Sequence, residues 1–183
     1  AKRERDSSVS LVGREKELEE LRGYFHSVYN QRGSVILIEG EPGSGKTRLI
    51  QEACAQTAHQ RPAFFLRTKC ELGGQLPLAP LRAALDQYFI QLKQLPAEEQ
   101  LVIQKQTREA AGEFAHLLRR LSPETMKFFS AVADRTLLES QDIFYSTVAD
   151  FFLKLGSSQR PLFLVIDDIQ WLDEGSRKVL ARF

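Results

Sequence analysis

The segment that most constrains the fold of this 183-residue chain is Gly40–Thr47, whose sequence is G-E-P-G-S-G-K-T. It matches the pattern G-x-x-x-x-G-K-[ST] in full, between an apolar run and a helical one. Glycines let such a loop wrap its backbone amides around phosphate groups in conformations that a Cβ would obstruct. The N-terminus of the following helix adds a partial positive charge at the same point. The segment therefore predicts a phosphate-binding loop between a strand and a helix.

The chemistry of the loop assigns separate roles to its residues. Lys46 is expected to reach the β- and γ-phosphates of a nucleotide as a point charge, which also makes it a catalytic candidate. The hydroxyl of Thr47 is a candidate ligand for Mg²⁺. The rest of the loop is expected to contact the nucleotide: Gly40, Glu41, Pro42, Gly43, Ser44 and Gly45. The alternative is an ordinary glycine-rich turn in which Thr47 only caps a helix.

Apolar patterning along the rest of the chain predicts an α/β fold. Strands are expected at 34–38, 63–66 and 162–166. Helical periodicity covers 13–32, 46–59, 81–92, 97–121 and 141–155. Two further helices are expected to start at Ser122, which is followed by a proline and an acid, and near Asp173, because both side chains can cap a helix. Short strands buried on both faces and separated by helices are typical of a parallel sheet. We expect a flexible tail at 1–10, a core over 11–183 and a helical insertion at about 69–160.

The last predicted strand ends in two acids, Asp167 and Asp168. Carboxylates at the carboxyl end of a parallel strand point into the crevice where open α/β sheets bind ligands. Asp167 is a candidate to hold Mg²⁺ through its water shell, and Asp168 to orient or deprotonate an attacking water. Alone, an apolar strand followed by two acids is a weak pattern that loop or helix-cap acids also explain. The phosphate-binding loop in the same chain favours the functional interpretation.

Composition excludes several other classes of function. Lys and Arg number 25 and Asp and Glu 24, a net charge of +1, which is unlike a strongly basic nucleic-acid binder. The longest dense apolar run, 162–166, is far shorter than the roughly 20 residues of a membrane span. The three histidines have no metal-ligand spacing, and Trp171 is interpreted as a core anchor. Cys54 and Cys70 are too far apart for a C-x-x-C pair, which favours reduced thiols in the cytoplasm.

Four segments together resemble a known family. They are V-G-R-E at 12–15, the phosphate-binding loop, the stretch 77–81, and V-I-D-D-I-Q-W-L-D at 165–173. They resemble the AAA-like signal-transduction NTPases of the STAND class, in particular the ATPase modules of bacterial LuxR-type activators, multidomain kinases and adenylyl cyclases. The resemblance covers about 10–183 and implies a three-layer αβα P-loop NTPase fold. It implies an ATP-driven switch with ATP or ADP and Mg²⁺ as ligands and the other domains of a parent regulator as partners.

The same resemblance implies that Val12, Gly13 and Arg14 lie beside the adenine of the nucleotide. From the residues alone, a charged first turn of a helix is the favoured explanation of Arg14 and Glu15. The family pattern also continues, after the position of Asp168, with further strands and a helical lid that this chain does not contain. The chain is therefore expected to hydrolyse ATP weakly or not at all, and to self-associate through unpaired strand edges.

Two other classes of function stay open at this point. A small-molecule phosphotransferase also uses a P-G-S-G-K loop, but it needs an arginine-bearing acceptor site that the sequence does not show. A nucleotide-binding scaffold that never turns over would keep the loop without hydrolysis. Release of phosphate with and without candidate acceptors would discriminate between the three.

Overall fold

The chain divides between Pro62 and Ala63 into two compact units. The computed structural model describes residues 13–30, 33–73, 76–133 and 140–183. The predicted tail at 1–10 and the candidate site residue Val12 lie outside the described residues.

The described residues of the first unit form two helices, α1 (Glu15–Val28) and α2 (Lys46–Gln60), which pack against each other. Leu21 and Phe25 form the buried face of α1, at the spacing that the sequence predicts for one side of a helix. Leu49 and Ala53 are among the buried residues of α2. Both predicted helices are thus confirmed, although α1 ends before the predicted boundary at residue 32.

The strand predicted at 34–38 is wrong for the described structure. Residues 33–40 have no regular secondary structure, and no strand among the described residues pairs with them. Val35 is 82% exposed and Leu37 62% exposed. A run of β-branched and apolar residues favours extended backbone, but it becomes a strand only when a neighbour accepts its hydrogen bonds. The pattern therefore identified the residues suited to a strand without identifying a partner for them.

The second unit contains a parallel pair of strands, β1 (Phe64–Lys69) and β2 (Leu162–Asp167). The register places Phe64 opposite Leu162 and Lys69 opposite Asp167. Both strands and their parallel direction are confirmed, and the connection between them is helical, as expected for a parallel crossover. The described sheet has two strands, so the three-layer arrangement stays a prediction.

In the described part of this unit, six α-helices accompany the sheet: α3 (Ala79–Lys93), α4 (Ala97–Ala111), α5 (Ala115–Leu118), α6 (Pro123–Phe128), α7 (Gln141–Leu155) and α8 (Glu174–Leu180). The core lies where β1 packs against α3 and where α7 adds its apolar face. Its largest fully buried side chains include Phe64, Leu66, Leu85, Tyr88 and Phe151. The helix starts that were predicted at Ser122 and Asp173 are confirmed, because both side chains accept a backbone N–H of the first turn.

The outer edge of β1 is closed by glutamine side chains of α3. Gln87 accepts a hydrogen bond from the N–H of Arg67 at 2.8 Å and donates to the carbonyl of Arg67 at 2.6 Å. Gln91 donates to the carbonyl of Phe65 at 2.8 Å. These amides replace the hydrogen bonds that another strand would form, which protects the edge against pairing with other chains. A further strand would therefore add to the sheet beside β2.

The carboxylate of Asp173 joins the first turn of α8 to the start of α3. Its Oδ1 accepts hydrogen bonds from the N–H of Ser176 at 2.9 Å and from the N–H of Leu78 at 3.1 Å. Its Oδ2 accepts the Ser176 hydroxyl at 2.6 Å. Leu78 is held at φ 62°, a left-handed conformation that is costly for a residue with a Cβ. Asp173 thus caps one helix and stabilises the strained entry to another.

We expect Asp173→Ala to lower the free energy of unfolding by about 2 kcal/mol, because a helix cap is lost and the Leu78 N–H loses its acceptor. Burial acts to raise the pKa of Asp173, but the hydrogen bonds from Ser176 and Leu78 outweigh it and lower the pKa below the ordinary 3.8. The stabilisation is therefore present above the unfolded-state pKa and is lost as the pH falls through the lower folded-state value. Denaturant unfolding at several pH values, followed by Trp171 fluorescence, measures both the loss of stability and its dependence on pH.

Asp150→Ala is the control, since Asp150 is an exposed aspartate on α7. The free energy of unfolding of Asp173→Ala should approach that of the parent as the pH falls below 3.8. The small difference in free energy of unfolding between the parent and Asp150→Ala should not change with pH in this way. If the difference between the parent and Asp173→Ala stays constant down to pH 2, the described role of the carboxylate is contradicted.

Candidate functional site

The loop that precedes α2 has the backbone that its glycines predict. Gly43 lies at φ 81° and Gly45 at φ 87°, in the left-handed region where other residues are strained. A tight turn closes the loop through a hydrogen bond from the Ser44 N–H to the Glu41 carbonyl at 3.1 Å. At Gly40, a Cβ would lie 3.0 Å from the Ser44 hydroxyl oxygen, which would have to shift to make room for it. At Gly43 and Gly45 the space is open, and it is the left-handed backbone that favours glycine.

Lys46 folds back over this loop. Its Nζ donates hydrogen bonds to the carbonyls of Gly40 at 2.7 Å and Glu41 at 3.0 Å. These acceptors are neutral, and an anionic phosphate oxygen is a much stronger partner for an ammonium group. A phosphate oxygen would therefore be a stronger acceptor for Lys46 than the two loop carbonyls are. Thr47 follows it in the first turn of α2 and is exposed.

A cavity of about 370 Å³ lies against the loop within the first unit. Loop residues form one side of it, including Ser44 and Lys46, while Arg14 and Glu17 contribute from the region of α1. The volume lies within the range of small-molecule sites, about 300–1,000 Å³. The cavity therefore lies beside the predicted phosphate-binding loop and has the volume of a small-molecule site.

The structure brings Arg14 to this loop. Its Nη2 donates to the Ser44 carbonyl at 3.4 Å, and its Nη1 forms an ion pair with Glu17 at 2.7 Å. The hydrogen bond that Arg14 Nη1 donates to Glu17 lowers the pKa of the Glu17 carboxyl. Gly13, at φ 80°, donates its N–H to Glu15, and this bond lowers the pKa of the Glu15 carboxyl. The placement agrees with Arg14 as a neighbour of the nucleotide, and that role stays a prediction.

Sequence reasoning missed the part of Glu17 in the cavity wall. The signal that could have found it is its position three residues after Arg14, because residues at this spacing on a helix are neighbours. Ile38, Glu39 and Leu49 also line the cavity and were not among the predicted site residues.

The second unit carries the acidic strand end. Asp167 is the last residue of β2, and its Oδ1 accepts the N–H of Asp168 at 3.0 Å. Asp168 lies at φ 55°, a strained left-handed conformation for an aspartate. Its Oδ2 forms an ion pair with Lys69 Nζ at 3.0 Å, and its Oδ1 accepts the side-chain amide of Gln170 at 3.3 Å. The predicted pair of acids is therefore held in a defined geometry.

Lys69 was not predicted as a site residue. The strand was predicted to end at residue 66, whereas β1 extends to Lys69 and places it opposite Asp167. The bond to Asp168 raises the pKa of Lys69. Trp171, interpreted as a core anchor, is instead 46% exposed, because the 3₁₀ turn Ile169–Trp171 turns it out of the core.

Two residues predicted to hold Mg²⁺ lie in different units of the chain. Thr47 in the first unit offers a hydroxyl and Asp167 in the second a carboxylate, and each is an oxygen ligand of the kind that Mg²⁺ takes in proteins. In the parts of the chain that the structure describes, no group of three or more His, Cys, Asp or Glu side chains could hold a metal by itself. A magnesium ion held by either residue would take most of its other ligands from phosphate oxygens and water. No helix of the described chain is long and apolar enough to cross a membrane.

Comparison with known proteins places this chain in a family. The family model described as AAA ATPase domain matches residues 10–183. The chain is also 28% identical, over 184 residues, to an uncharacterized protein of Rhizobium meliloti (strain 1021). That match covers 93% of this chain and 17% of the relative, so the chain spans less than a fifth of the relative's length. No solved structure matches. Because the family match includes both the phosphate-binding loop and the acidic strand end, the chain belongs to the AAA ATPase domain family.

Proposed function

We propose that the chain is an ATP-binding and ATP-hydrolysing switch module of a larger signal-transduction or transcription regulator in the cytoplasm. The observation that carries the proposal is Lys46 folded over a glycine cradle beside a cavity of ligand size. Family membership supports it, since AAA ATPase domains generally bind ATP or ADP with Mg²⁺. The proposed module has its core over 11–183, with a helical insertion at about 69–160.

Each residue of the proposed site has one task. The loop from Gly40 to Gly45 and the ammonium of Lys46 bind the β- and γ-phosphates, while Val12, Gly13 and Arg14 contact the nucleoside. Thr47 and Asp167 would hold Mg²⁺, which neutralises charge on the phosphates when it is bound. Asp168 orients the attacking water and accepts its proton as the bond to the γ-phosphorus forms and the β–γ bridge breaks. The products are ADP and inorganic phosphate.

A switch follows if the state with ATP and the state with ADP differ in conformation. The γ-phosphate is the group that distinguishes the two nucleotides, and hydrolysis releases whatever contacts depend on it. In the second unit, Asp168 and Asp173 lie in one strand-to-helix connection, and Asp173 contacts the start of α3. This connection supplies a route from the acidic strand end to the helices at 79–155.

A product assay tests the function against its two alternatives. The chain is incubated with ATP and Mg²⁺, and both free phosphate and phosphorylated acceptors are measured, with and without nucleosides, nucleotides and sugars. We expect slow release of phosphate that acceptors do not accelerate. Acceptor-dependent transfer would identify a phosphotransferase instead, and binding of ATP with no product over many hours would identify a scaffold.

A further inference from the structure

The side chain of Arg82 joins two segments of the second unit that are distant in the chain. Arg82 lies near the start of α3, and its Nε donates a hydrogen bond to the Pro77 carbonyl at 2.8 Å. Its Nη1 donates to the carbonyl of Leu121 and, at 3.3 Å, to that of Arg120. Both of these carbonyls belong to the turn at 119–122, which connects α5 to α6. We call these contacts together the Arg82 bridge.

The turn between α5 and α6 needs donors from outside the two helices. α5 has only four residues, and the carbonyls of Arg120 and Leu121 lie between its end and the start of α6. Carbonyls at the end of a helix have no partner within that helix. Leu121 is buried, which limits the access of water as a replacement donor. The guanidinium group of Arg82 therefore supplies hydrogen bonds that stabilise this turn.

Asp173 holds the other end of the Arg82 bridge. Leu78 follows Pro77 directly, and its N–H donates to Asp173 Oδ1 at 3.1 Å. The backbone N–H of Arg82 donates to the Leu78 carbonyl at 2.8 Å. Asp173 lies in the connection between β2 and α8, the segment that follows the acidic strand end. A continuous series of contacts therefore runs from this connection to the turn between α5 and α6.

Leu78 is the residue of this series whose backbone can change state. It is held at φ 62°, a left-handed conformation in which a residue with a Cβ is strained. Its hydrogen bond to Asp173 helps to hold that conformation, so loss of the bond favours relaxation to a negative φ. A change in the φ of Leu78 rotates the peptide group before it, and this group contains the Pro77 carbonyl. Arg82 then loses one acceptor of its bridge.

We propose that Arg82 transmits the position of the connection after β2 to the turn between α5 and α6. While Asp173 holds Leu78, the Arg82 bridge is complete and the turn is protected. When a nucleotide changes the acidic strand end and moves Asp173, Leu78 relaxes, the bridge opens and the turn is released. The trigger rests on the proposed function, whereas the bridge is a property of the second unit alone.

Hydrogen exchange tests the coupling between Asp173 and Arg82 without nucleotide. Mass spectrometry of the full chain follows a peptide that covers 119–125, and a peptide from 84–92 in α3 reports unfolding of the whole unit. Asp173→Ala and Arg82→Met should each raise the exchange rate of the turn about tenfold. The double variant should exchange no faster than Arg82→Met, because both substitutions open one bridge. Independent effects would multiply to about a hundredfold and would overturn the proposal.

Arg82→Lys is a second variant that separates the bridge from the charge. Lysine keeps the positive charge, but its single ammonium group cannot reproduce the fixed fork with which a guanidinium contacts two segments. Arg82→Lys should therefore behave like Arg82→Met, both in its exchange rate and in the absence of a further effect of Asp173→Ala. If Arg82→Lys exchanges at the parent rate, charge alone holds the turn and the bridge is not the connecting element.

Arg108→Met is the matched control. Arg108 Nη1 donates to the Phe128 carbonyl at 3.2 Å, so this arginine contacts the end of α6 from α4. When Asp173→Ala is added to Arg108→Met, the exchange rate of the turn should still rise about tenfold, as it does in the parent. If the control abolishes this rise as well, transmission is not specific to Arg82.

The same peptide measures the response to nucleotide. Before hydrolysis, the exchange rate of the turn should differ about fivefold or more between the parent with ATP and the parent with ADP, both with Mg²⁺. Arg82→Met should bind ATP as tightly as the parent by calorimetry and show no such difference. A parent that binds both nucleotides but exchanges at one rate would overturn the transmission. Failure of the parent to bind ATP contradicts the proposed function instead, since the coupling between Asp173 and Arg82 is measured without nucleotide.

Discussion

Asp168→Asn is expected to slow single-turnover ATP hydrolysis by about 10²–10⁴-fold, the usual contribution of a positioned general base. The asparagine keeps the size and the acceptor oxygen of the side chain, but its amide cannot take a proton from water. Affinity for ATP should stay near that of the parent, because the phosphate contacts are assigned to Lys46 and the loop. Quenched reactions with labelled ATP measure the rate, and calorimetry measures the affinity.

Asp142→Asn is a suitable control for this change. Asp142 is a highly exposed acid on α7 whose side chain lies 3.6 Å from Arg182, and no catalytic role is assigned to it. The control should keep the parent rate. If Asp168→Asn also hydrolyses ATP at the parent rate, the acid that activates water has been assigned to the wrong residue.

Lys46→Ala is expected to weaken binding of ATP with Mg²⁺ by about 1.5–3 kcal/mol, or roughly 10–150-fold in Kd. The physical reason is the loss of the ammonium group that the structure places over the loop, 2.7 Å from the Gly40 carbonyl. Alanine is a good helix former, so α2 should still start at this position. Titration calorimetry with ATP at saturating Mg²⁺ gives the affinity of both proteins.

The matching control removes a lysine elsewhere. Lys105 is an exposed residue of α4, and its Nζ lies 3.9 Å from the carboxylate of Glu109. The affinity of Lys105→Ala for ATP should equal that of the parent. Equal affinities for the parent and Lys46→Ala would mean that the lysine does not contact the phosphates.

The sequence predicted the local features of the fold well, because each depends on residues that are close in the chain. The apolar spacing of Leu21 and Phe25 identified α1, and the side chains of Ser122 and Asp173 identified two helix starts. The prediction of a strand at 34–38 was wrong because a strand does not depend on nearby residues alone. Strand formation depends on a partner far away in the chain, and the apolar pattern contains no information about whether that partner is in reach.

The residues of the candidate site also divide into those whose positions depend on neighbouring residues and those whose positions depend on distant ones. The backbone conformation of the loop could be predicted, since its glycines, lysine and threonine lie within the short segment Gly40–Thr47 and the conformations of the glycines follow from local sterics. Lys69 could not, because only the pairing of β1 with β2 brings it to Asp168, across about a hundred residues of chain. Glu17 lies between these cases, since its contact with Arg14 is local but its place in the cavity depends on the packing of the first unit.

Titration calorimetry of the unaltered chain with ATP tests the central claim most directly. At saturating Mg²⁺ the chain should bind one ATP per molecule, with an affinity that falls when Mg²⁺ is removed. A chain that is folded by circular dichroism but shows no binding of ATP at millimolar concentrations would contradict the assignment of Gly40–Thr47 as a nucleotide-binding loop.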